Sequence, residues 1–288
     1  MIRIDANMVV YYDGKYSPKE EVAISPDDRG FLLADGVYDV IRSYQGKLFK
    51  CREHLERLER GLKELRIKGV ETNGLETVAQ QLVRENKLEG GNALVYIQVT
   101  RGVAVRCHAF PPPETMPTIY VEANAYSSPT QMQENGAKAI LAPDQRWSRC
   151  DIKAIGLLAN VLASQKAREA GAFEAIFYAD GLLQEGTHSS ILFVKKDVVI
   201  CPPLTNRILP SVTRSVVIGL AATESIDVEI RPCREGELSE FDEILMVGTG
   251  SEIIPITAVH GQKVRHGYPG PVAKRLQGAF RRLVHKIP

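Results

Sequence analysis

Residues 146–153 read RWSRCDIK and run straight into an apolar helical pattern. The stretch contains the only Trp of the chain together with two Arg, one Cys, one Asp and one Lys. Packing alone rarely asks for that mixture. A lysine just ahead of a packed helix can be held partly out of water, where desolvation disfavours the ammonium and frees the amine as a nucleophile. Such amines form Schiff bases with carbonyl groups. Taken singly, Lys153 reads equally well as a solvated charge beside a helix start, so the rest of the chain has to choose between the two.

Working outward, 155–169 reads as a helix, apolar at Leu157, Leu158, Val161 and Leu162, with Gly171 as its C-cap. Strands follow at 173–178, 190–194 and 198–201, with a turn at Asp180 and Gly181. A helix at 212–223, strands at 226–230 and 243–247, and a helix at 271–284 complete this half. Upstream of the anchor lie strands at 8–12, 21–24, 36–44, 93–100, 118–122 and 138–141. Helices are expected at 53–65, where Leu55, Leu58, Leu62 and Leu65 recur at spacings of three and four, and at 75–85. Residues 103–115 form a loop through Pro111, Pro112 and Pro113. The polar run 124–133, with Ser127, Ser128 and Pro129, is the candidate linker between a domain at 1–123 and a domain at 134–288. Helices and strands alternate irregularly and hairpins are frequent, which predicts α+β layers rather than a doubly wound parallel sheet.

The chain has 288 residues, room for one large domain or two ordinary ones. Its 44% hydrophobic and 25% charged content is that of a globular protein with a core of its own. A net charge of +1 and the lack of a basic stripe with interleaved aromatics argue against a nucleic-acid module. The five cysteines are odd in number, widely spaced and without a CxxC pair, so neither a disulfide framework nor a metal site is expected, and a reducing cytoplasm fits. Arg3 and Asp5 interrupt the N-terminus and no run of about 18 apolar residues occurs, so neither a leader nor a membrane span is expected.

Several residues could carry chemistry. Residues 209–213, LPSVT, lead into a helix whose free N-terminal amides suit a phosphate. Residues 248–251, GTGS, follow a buried strand. Either loop alone is as readily an ordinary capped turn, and neither is a Walker A or dinucleotide fingerprint. Arg57 stands three residues after His54 on one helix face and has the fork for bidentate phosphate binding, although it also suits a charged, solvated face. Glu185 lies between two expected strands, where a carboxylate needs a partner. Beside a pyridine nitrogen it would favour the protonated ring, as an electron-sink cofactor requires. Arg106 and His108 fall on one side of an extended loop and could clamp a carboxylate, or could simply be exposed loop residues.

Together, DRGFLLADGVYDVIRSYQGKLF, EHLERL, TRGVAVRCHAFP, RWSRCDIKAIGLLANVLA, QEGTHSSILFV, ILPSVTR and GTGSEIIPI, in this order, resemble the fold-type IV pyridoxal-phosphate enzymes over nearly the whole chain. Within that group RCHAFP and RWSRCDIK are most similar to the D-amino acid aminotransferases. The resemblance implies a two-domain α+β fold, with a small N-terminal α/β domain, a larger barrel-like C-terminal α/β domain and pyridoxal 5′-phosphate between them. It implies that Lys153 bonds covalently to the cofactor and shuttles the proton, and that Glu185 pairs with the ring nitrogen. Arg57, the amides of Val212 and Thr213, and the Thr249 hydroxyl would hold the phosphate, with Leu209 against the ring. Tyr38 would lie on the substrate side, and Arg106 and His108 would take the substrate carboxylate across a dimer interface. The glutamate motif departs from the common EGS form: His188 is a bulkier neighbour and Ser190 stands where an amide is usual. Gly248 and Gly250 flank Thr249 where hydroxyl residues can occur.

The expected activity is that of a cytoplasmic, homodimeric D-amino acid transaminase acting on an amino acid and a 2-oxo acid. An L-branched-chain aminotransferase and an aminodeoxychorismate lyase are the alternatives within the same family. A protein that kept the fold and lost catalysis is disfavoured, because the positions of Lys153, Glu185 and Arg57 are all filled.

Overall fold

The structure, a computed structural model, describes residues 8–287; Arg3 and Asp5 lie outside them. The chain divides into two compact units, one of Met1–Ser127 with Ile152–Gly156, the other of Ser128–Asp151 with Leu157–Pro288. A boundary drawn at 124–133 does not describe the short segment Ile152–Gly156, which belongs with the first unit.

The first unit runs β1 (Val9–Tyr12), β2 (Lys15–Pro18), α1 (Arg29–Leu33), β3 (Gly36–Tyr44), β4 (Lys47–Phe49), α2 (Cys51–Glu64), α3 (Gly74–Glu85), β5 (Asn92–Thr100) and β6 (Thr118–Ala125). Its strands form an antiparallel sheet in the order β2-β1-β6-β5-β3-β4. The period of two in GVYDVIRSY sends Val37 and Ile41 into the core, and Tyr38 and Val40 to the other face. Strands β3 and β5 pair without a break from Gly36↔Thr100 to Tyr44↔Asn92. Gly36 is needed for this, since a Cβ there would stand 2.5 Å from the Val99 carbonyl oxygen. Helix α2 covers the core face with Leu55, Leu58 and Leu62, and α3 with Leu75, Val78, Leu82 and Val83. Each such leucine contributes about 1.5–3 kcal/mol by leaving water.

The strand expected at 21–24 is absent: β2 ends at Pro18 and the chain turns away through Lys19–Glu21. The expected linker is partly regular, because Asn124 and Ala125 finish β6 and a short helix takes up Thr130–Asn135.

The second unit begins with that helix, α4 (Thr130–Asn135), and continues β7 (Ala137–Pro143), α5 (Leu158–Glu169), β8 (Glu174–Ala179), β9 (Leu182–Gly186), β10 (Ser190–Lys195), β11 (Val198–Cys201), α6 (Val212–Thr223), β12 (Val228–Ile230), β13 (Cys233–Arg234), β14 (Glu243–Gly248), β15 (Glu252–Val259), β16 (Gln262–Lys263) and α7 (Pro271–His285). Its mixed sheet follows the order β12-β11-β10-β14-β15-β7-β8-β9-β13, with β16 paired to β15. Its core gathers Ile176, Ile191, Phe193, Phe241, Ile244 and Ile254, and Phe193 stacks on Phe241 at 4.5 Å. The α+β reading holds, as two sheets with helices against them.

In this unit β9, β13, β15 and β16 were not expected. Strand β15 holds Pro255 opposite Leu245, although proline is usually kept out of strand interiors. The polar Gln184 and Glu185 disguise β9. Helix α5 begins at Leu158 rather than 155, and its expected apolar stripe faces outward. Leu158, Val161 and Leu162 are 74%, 59% and 55% exposed, whereas Ala163 and Ala167 pack on Ala175 and Phe177 of β8.

Candidate active site

In the first unit the segment Ile152–Gly156 lies extended along β3. The Tyr38 amide donates to the Lys153 carbonyl at 3.0 Å, the Ile155 amide donates to the Gly36 carbonyl at 3.1 Å, and Ala154 bridges Val37. Ile152 anchors the segment in the core against Gly61 of α2. Lys153 is therefore tied to β3 by its own carbonyl and by the residues that follow it. The residue is half-buried, and its Nζ stands 4.1 Å from the centre of the Tyr38 ring. Of the expected site residues, Lys153 and Tyr38 are thus brought together, 115 residues apart by their numbering.

Asp39 follows Tyr38 and points the other way, into the core with Val37 and Ile41, and is fully buried. A carboxylate there must be paired. Helix α2 supplies two partners one turn apart: Arg57 donates Nε to Oδ2 and Nη2 to Oδ1, each at 2.8 Å, and His54 Nδ1 lies 2.8 Å from Oδ1. A carboxylate only accepts, so Nδ1 carries the proton. Burial pushes the Asp39 carboxyl up, but Arg57 and His54 outweigh it and hold it well below the usual carboxylate range. Arg57, 9% exposed, is thereby held in one plane. Asp39 was not singled out in the sequence. Its signal was a charged residue at a core-facing position of an alternating strand.

In the second unit Glu185 stands on β9 with its side chain 6% exposed. Arg146 donates Nη1 to Oε1, and the Leu209 amide donates to Oε2 at 3.1 Å. Glu185 and Leu209, two expected site residues, are therefore in contact. Arg146 also grips Asp144 through Nε at 2.9 Å and Nη2 at 2.8 Å, donates to the Arg207 carbonyl at 3.1 Å, and lies 4.5 Å over the Phe177 ring. Burial works against its charge, but Asp144 and Glu185 more than restore it. Arg146 was quoted in the opening stretch without a role. Its partner lies 39 residues on.

The turn after Glu185 is built on Glu174, a second buried carboxylate. Glu174 accepts from the His188 amide at 2.7 Å, Thr187 Oγ1 at 3.1 Å and Ser189 Oγ at 2.9 Å, with His188 Nδ1 at 3.0 Å. The His188 side chain is 58% exposed, so its bulk points outward from this turn. Gly186 leaves the carboxylate its room, since a Cβ there would run into Glu174 and Ser189.

Helix α6 is capped by Ser211, whose side chain accepts from the Arg214 amide at 3.1 Å. The amides of Val212 and Thr213, both buried residues, have no acceptor within the helix. Residues 248–251 join β14 to β15. Gly248 brings its backbone close to Ser251 Oγ and the His188 carbonyl, which a Cβ would meet at 3.0 and 3.6 Å. Among the described residues, Ser190 Oγ and Ser251 Oγ are buried without a hydrogen-bond partner. Arg106 and His108 are exposed on the loop after β5.

Each unit carries groups that suit a phosphorylated pyridine. The second unit offers an anchored carboxylate for a protonated ring nitrogen, two unspent amides at a helix start, and a buried, unsatisfied hydroxyl at Ser251. The first offers a fixed amine. Among the described residues no group of His, Cys, Asp or Glu could hold a metal ion, and no helix is long and apolar enough to cross a membrane.

A fixed lysine in one unit, and an anchored carboxylate with a helix start in the other, are the kinds of group that an enzyme handling amino groups through a phosphorylated aldehyde cofactor needs. The family model described as amino-transferase class IV matches residues 36–259, and the chain belongs to that family. It is 38% identical over 278 residues to the D-alanine aminotransferase of Bacillus licheniformis, covering 96% of this chain and 97% of that one. The branched-chain amino acid aminotransferase of Escherichia coli superposes with a TM-score of 0.89 at 26% identity, over 96% of this chain and 95% of that one. The branched-chain enzyme of Thermobaculum terrenum in its PLP-form superposes with a TM-score of 0.85 at 26% identity, over 98% and 95%.

Proposed function

We propose that the chain is a D-amino acid transaminase, moving the amino group of a D-amino acid such as D-alanine to 2-oxoglutarate or pyruvate. One observation carries the reading: the fixed amine of Lys153 beside Tyr38 occurs in a chain 38% identical to a D-alanine aminotransferase over nearly all of its length. Its cofactor is pyridoxal 5′-phosphate.

When bound, the cofactor supplies an aldehyde carbon for the substrate amine and a pyridinium ring that accepts the electron pair released at Cα. Lys153 would hold it through Nζ, and the same amine would serve as the base for the substrate's Cα proton. Glu185, kept in place by Arg146 and the Leu209 amide, would keep the ring nitrogen protonated. Arg57, the amides of Val212 and Thr213, and the Thr249 hydroxyl would bind the phosphate, and Leu209 would pack on the ring. Tyr38 stands on the substrate side. Arg106 and His108 bind the α-carboxylate, and so choose the Cα face presented to Nζ.

We read the working form as a homodimer. Exposed apolar side chains support this: Phe31, Val105 and Met116 in the first unit are 75%, 90% and 72% exposed, and the α5 stripe in the second is also open. All five cysteines are free, in keeping with a cytoplasmic location.

The test is to mix the yellow protein separately with D-alanine and with L-leucine and follow the visible band of the bound cofactor. D-alanine should discharge it and L-leucine should not. The reverse result would select a branched-chain activity, the reading to which the Escherichia coli likeness speaks.

A further inference from the structure

A polar cluster sits at the root of the loop that carries Arg106 and His108. Asp35, between α1 and β3, accepts from two arginines: Arg29 through Nε at 2.9 Å, and Arg101 through Nε at 2.7 Å and Nη2 at 2.9 Å. Arg101 also donates to the carbonyls of Leu65 at 2.7 Å and Arg66 at 3.2 Å. Arg29 has a side chain only 3% exposed, so its other donors need acceptors inside the protein. Its Nη1 donates to the Cys107 carbonyl at 2.6 Å. Cys107 is the residue between Arg106 and His108.

The loop is tied at other points too. The Arg29 amide donates to the Gly102 carbonyl at 3.0 Å, the Ala104 amide donates to the Asp27 carbonyl at 3.3 Å, and Val103 bridges Asp28. Gly102 has φ +95°, and a Cβ there would collide with the Met116 carbonyl. Farther on, the Phe110 ring is covered by the guanidinium groups of Arg101 at 3.8 Å and Arg66 at 4.6 Å. Among these ties, the one from Arg29 reaches the peptide unit between the two exposed side chains.

A buried arginine that served packing alone could be replaced by an apolar group of similar volume. Arg29 instead uses the two edges of its fork to join the Asp35 carboxylate to a loop carbonyl 78 residues away. An exposed two-residue clamp gains affinity when its backbone is fixed before the ligand arrives.

We propose that Arg29, oriented by Asp35, is a positioning residue for the substrate carboxylate: by fixing the Cys107 peptide it sets the directions of Arg106 and His108. The proposal rests on the reading of Arg106 and His108 as the carboxylate clamp. It makes Arg29 a determinant of amino acid affinity that touches neither substrate nor cofactor.

The experiment compares Arg29→Met, Arg29→Lys, Arg106→Leu and the double variant Arg29→Met/Arg106→Leu as holoenzymes, by steady-state kinetics with D-alanine and by the visible band of the bound cofactor. Arg29→Met should raise KM about tenfold with kcat within about threefold and the band unchanged. Arg29→Lys keeps the charge but not the fork, so it should resemble Arg29→Met. The double variant should be no worse in KM than Arg106→Leu, because the clamp is already lost. Deuterium uptake by the amides of 102–110 should rise in Arg29→Met while that of β3 and β5 stays as in the parent. If Arg106→Leu raises KM and Arg29→Met does not, the inference falls and the clamp reading stands. If Arg106→Leu leaves KM unchanged, both fall. If Arg29→Met loses kcat and the band together, Arg29 supports the fold rather than the clamp, and the inference falls. Should Arg29→Met fail to fold, Asp35→Asn takes its place: a KM rise with the band retained supports the proposal, and an unchanged KM overturns it.

Discussion

Asp39 holds Arg57 in a two-point fork, Nε and Nη2 each 2.8 Å from a carboxylate oxygen, on a core face where neither charge would stand alone. The pair joins β3, which also carries Tyr38, to α2. Any phosphate that Arg57 binds is therefore bound by a guanidinium already oriented.

Replacing Asp39 with Ala leaves Arg57 and His54 buried without their anion. Breaking a buried pair in this way is worth about 3–5 kcal/mol, so the melting temperature should fall sharply. Asp39→Asn keeps the volume and one acceptor and should fall less. If Arg57 binds the phosphate, both variants should also lose cofactor more readily on dialysis. The measurements are thermal unfolding with and without pyridoxal phosphate, and the cofactor retained after dialysis. Asp39→Ala with wild-type stability would remove this pair from the account.

The same carboxylate sets part of the acid limit of the fold. Asp39 and Glu174 are both held below their ordinary pKa: burial opposes this, and Arg57 with His54 in one case, and His188 with the surrounding donors in the other, outweigh it. A group whose folded pKa is depressed stabilises the protein fully above its unfolded value, about 3.9 for Asp and 4.3 for Glu, and that stability is lost as pH falls below it. Stability should therefore be flat in these terms down to about pH 5 and fall from there. The melting temperatures of wild type and Asp39→Asn should converge as pH drops from 5 toward 3. A gap that stays constant would show that Asp39 does not titrate in this way.

Arg146 is shared by the buried carboxylates of Asp144 and Glu185. Arg146→Met would remove the cation that both acids share, while the Leu209 amide still donates to Glu185. Stability should fall by about 3–5 kcal/mol, with weaker retention of the cofactor. Arg146→Lys keeps a charge that cannot fork to two carboxylates, and should lie between. Unfolding curves and the cofactor content of the purified variants decide it. A methionine variant as stable as wild type would mean that the two acids find other partners.

Much of this was legible in the sequence for particular reasons. Lys153, Arg57 and Glu185 sit in short runs whose mixed chemistry folding alone does not explain. Helix α2 follows from its leucine spacing. The groups that hold the site residues were harder to read. Asp39, Glu174 and Arg146 act on partners brought near by strand pairing, and spacing along a chain carries no record of that. The stripe of Leu158, Val161 and Leu162 was legible as apolar, but periodicity does not say what covers it. In this chain the buried face of α5 is made of Ala163 and Ala167 instead. Strand β15 was not read in the sequence; it holds Pro255 opposite Leu245 through pairing that the local sequence does not record.

The central claim is that Lys153 carries the cofactor, and covalent labelling tests it most directly. The yellow protein is reduced with borohydride, digested, and searched by mass spectrometry for a pyridoxyl-phosphate adduct. One modified lysine is expected, in the peptide containing residue 153, and neither adduct nor visible band in Lys153→Ala. An adduct on another lysine of the wild type, or a full yellow band and turnover in Lys153→Ala, would contradict it.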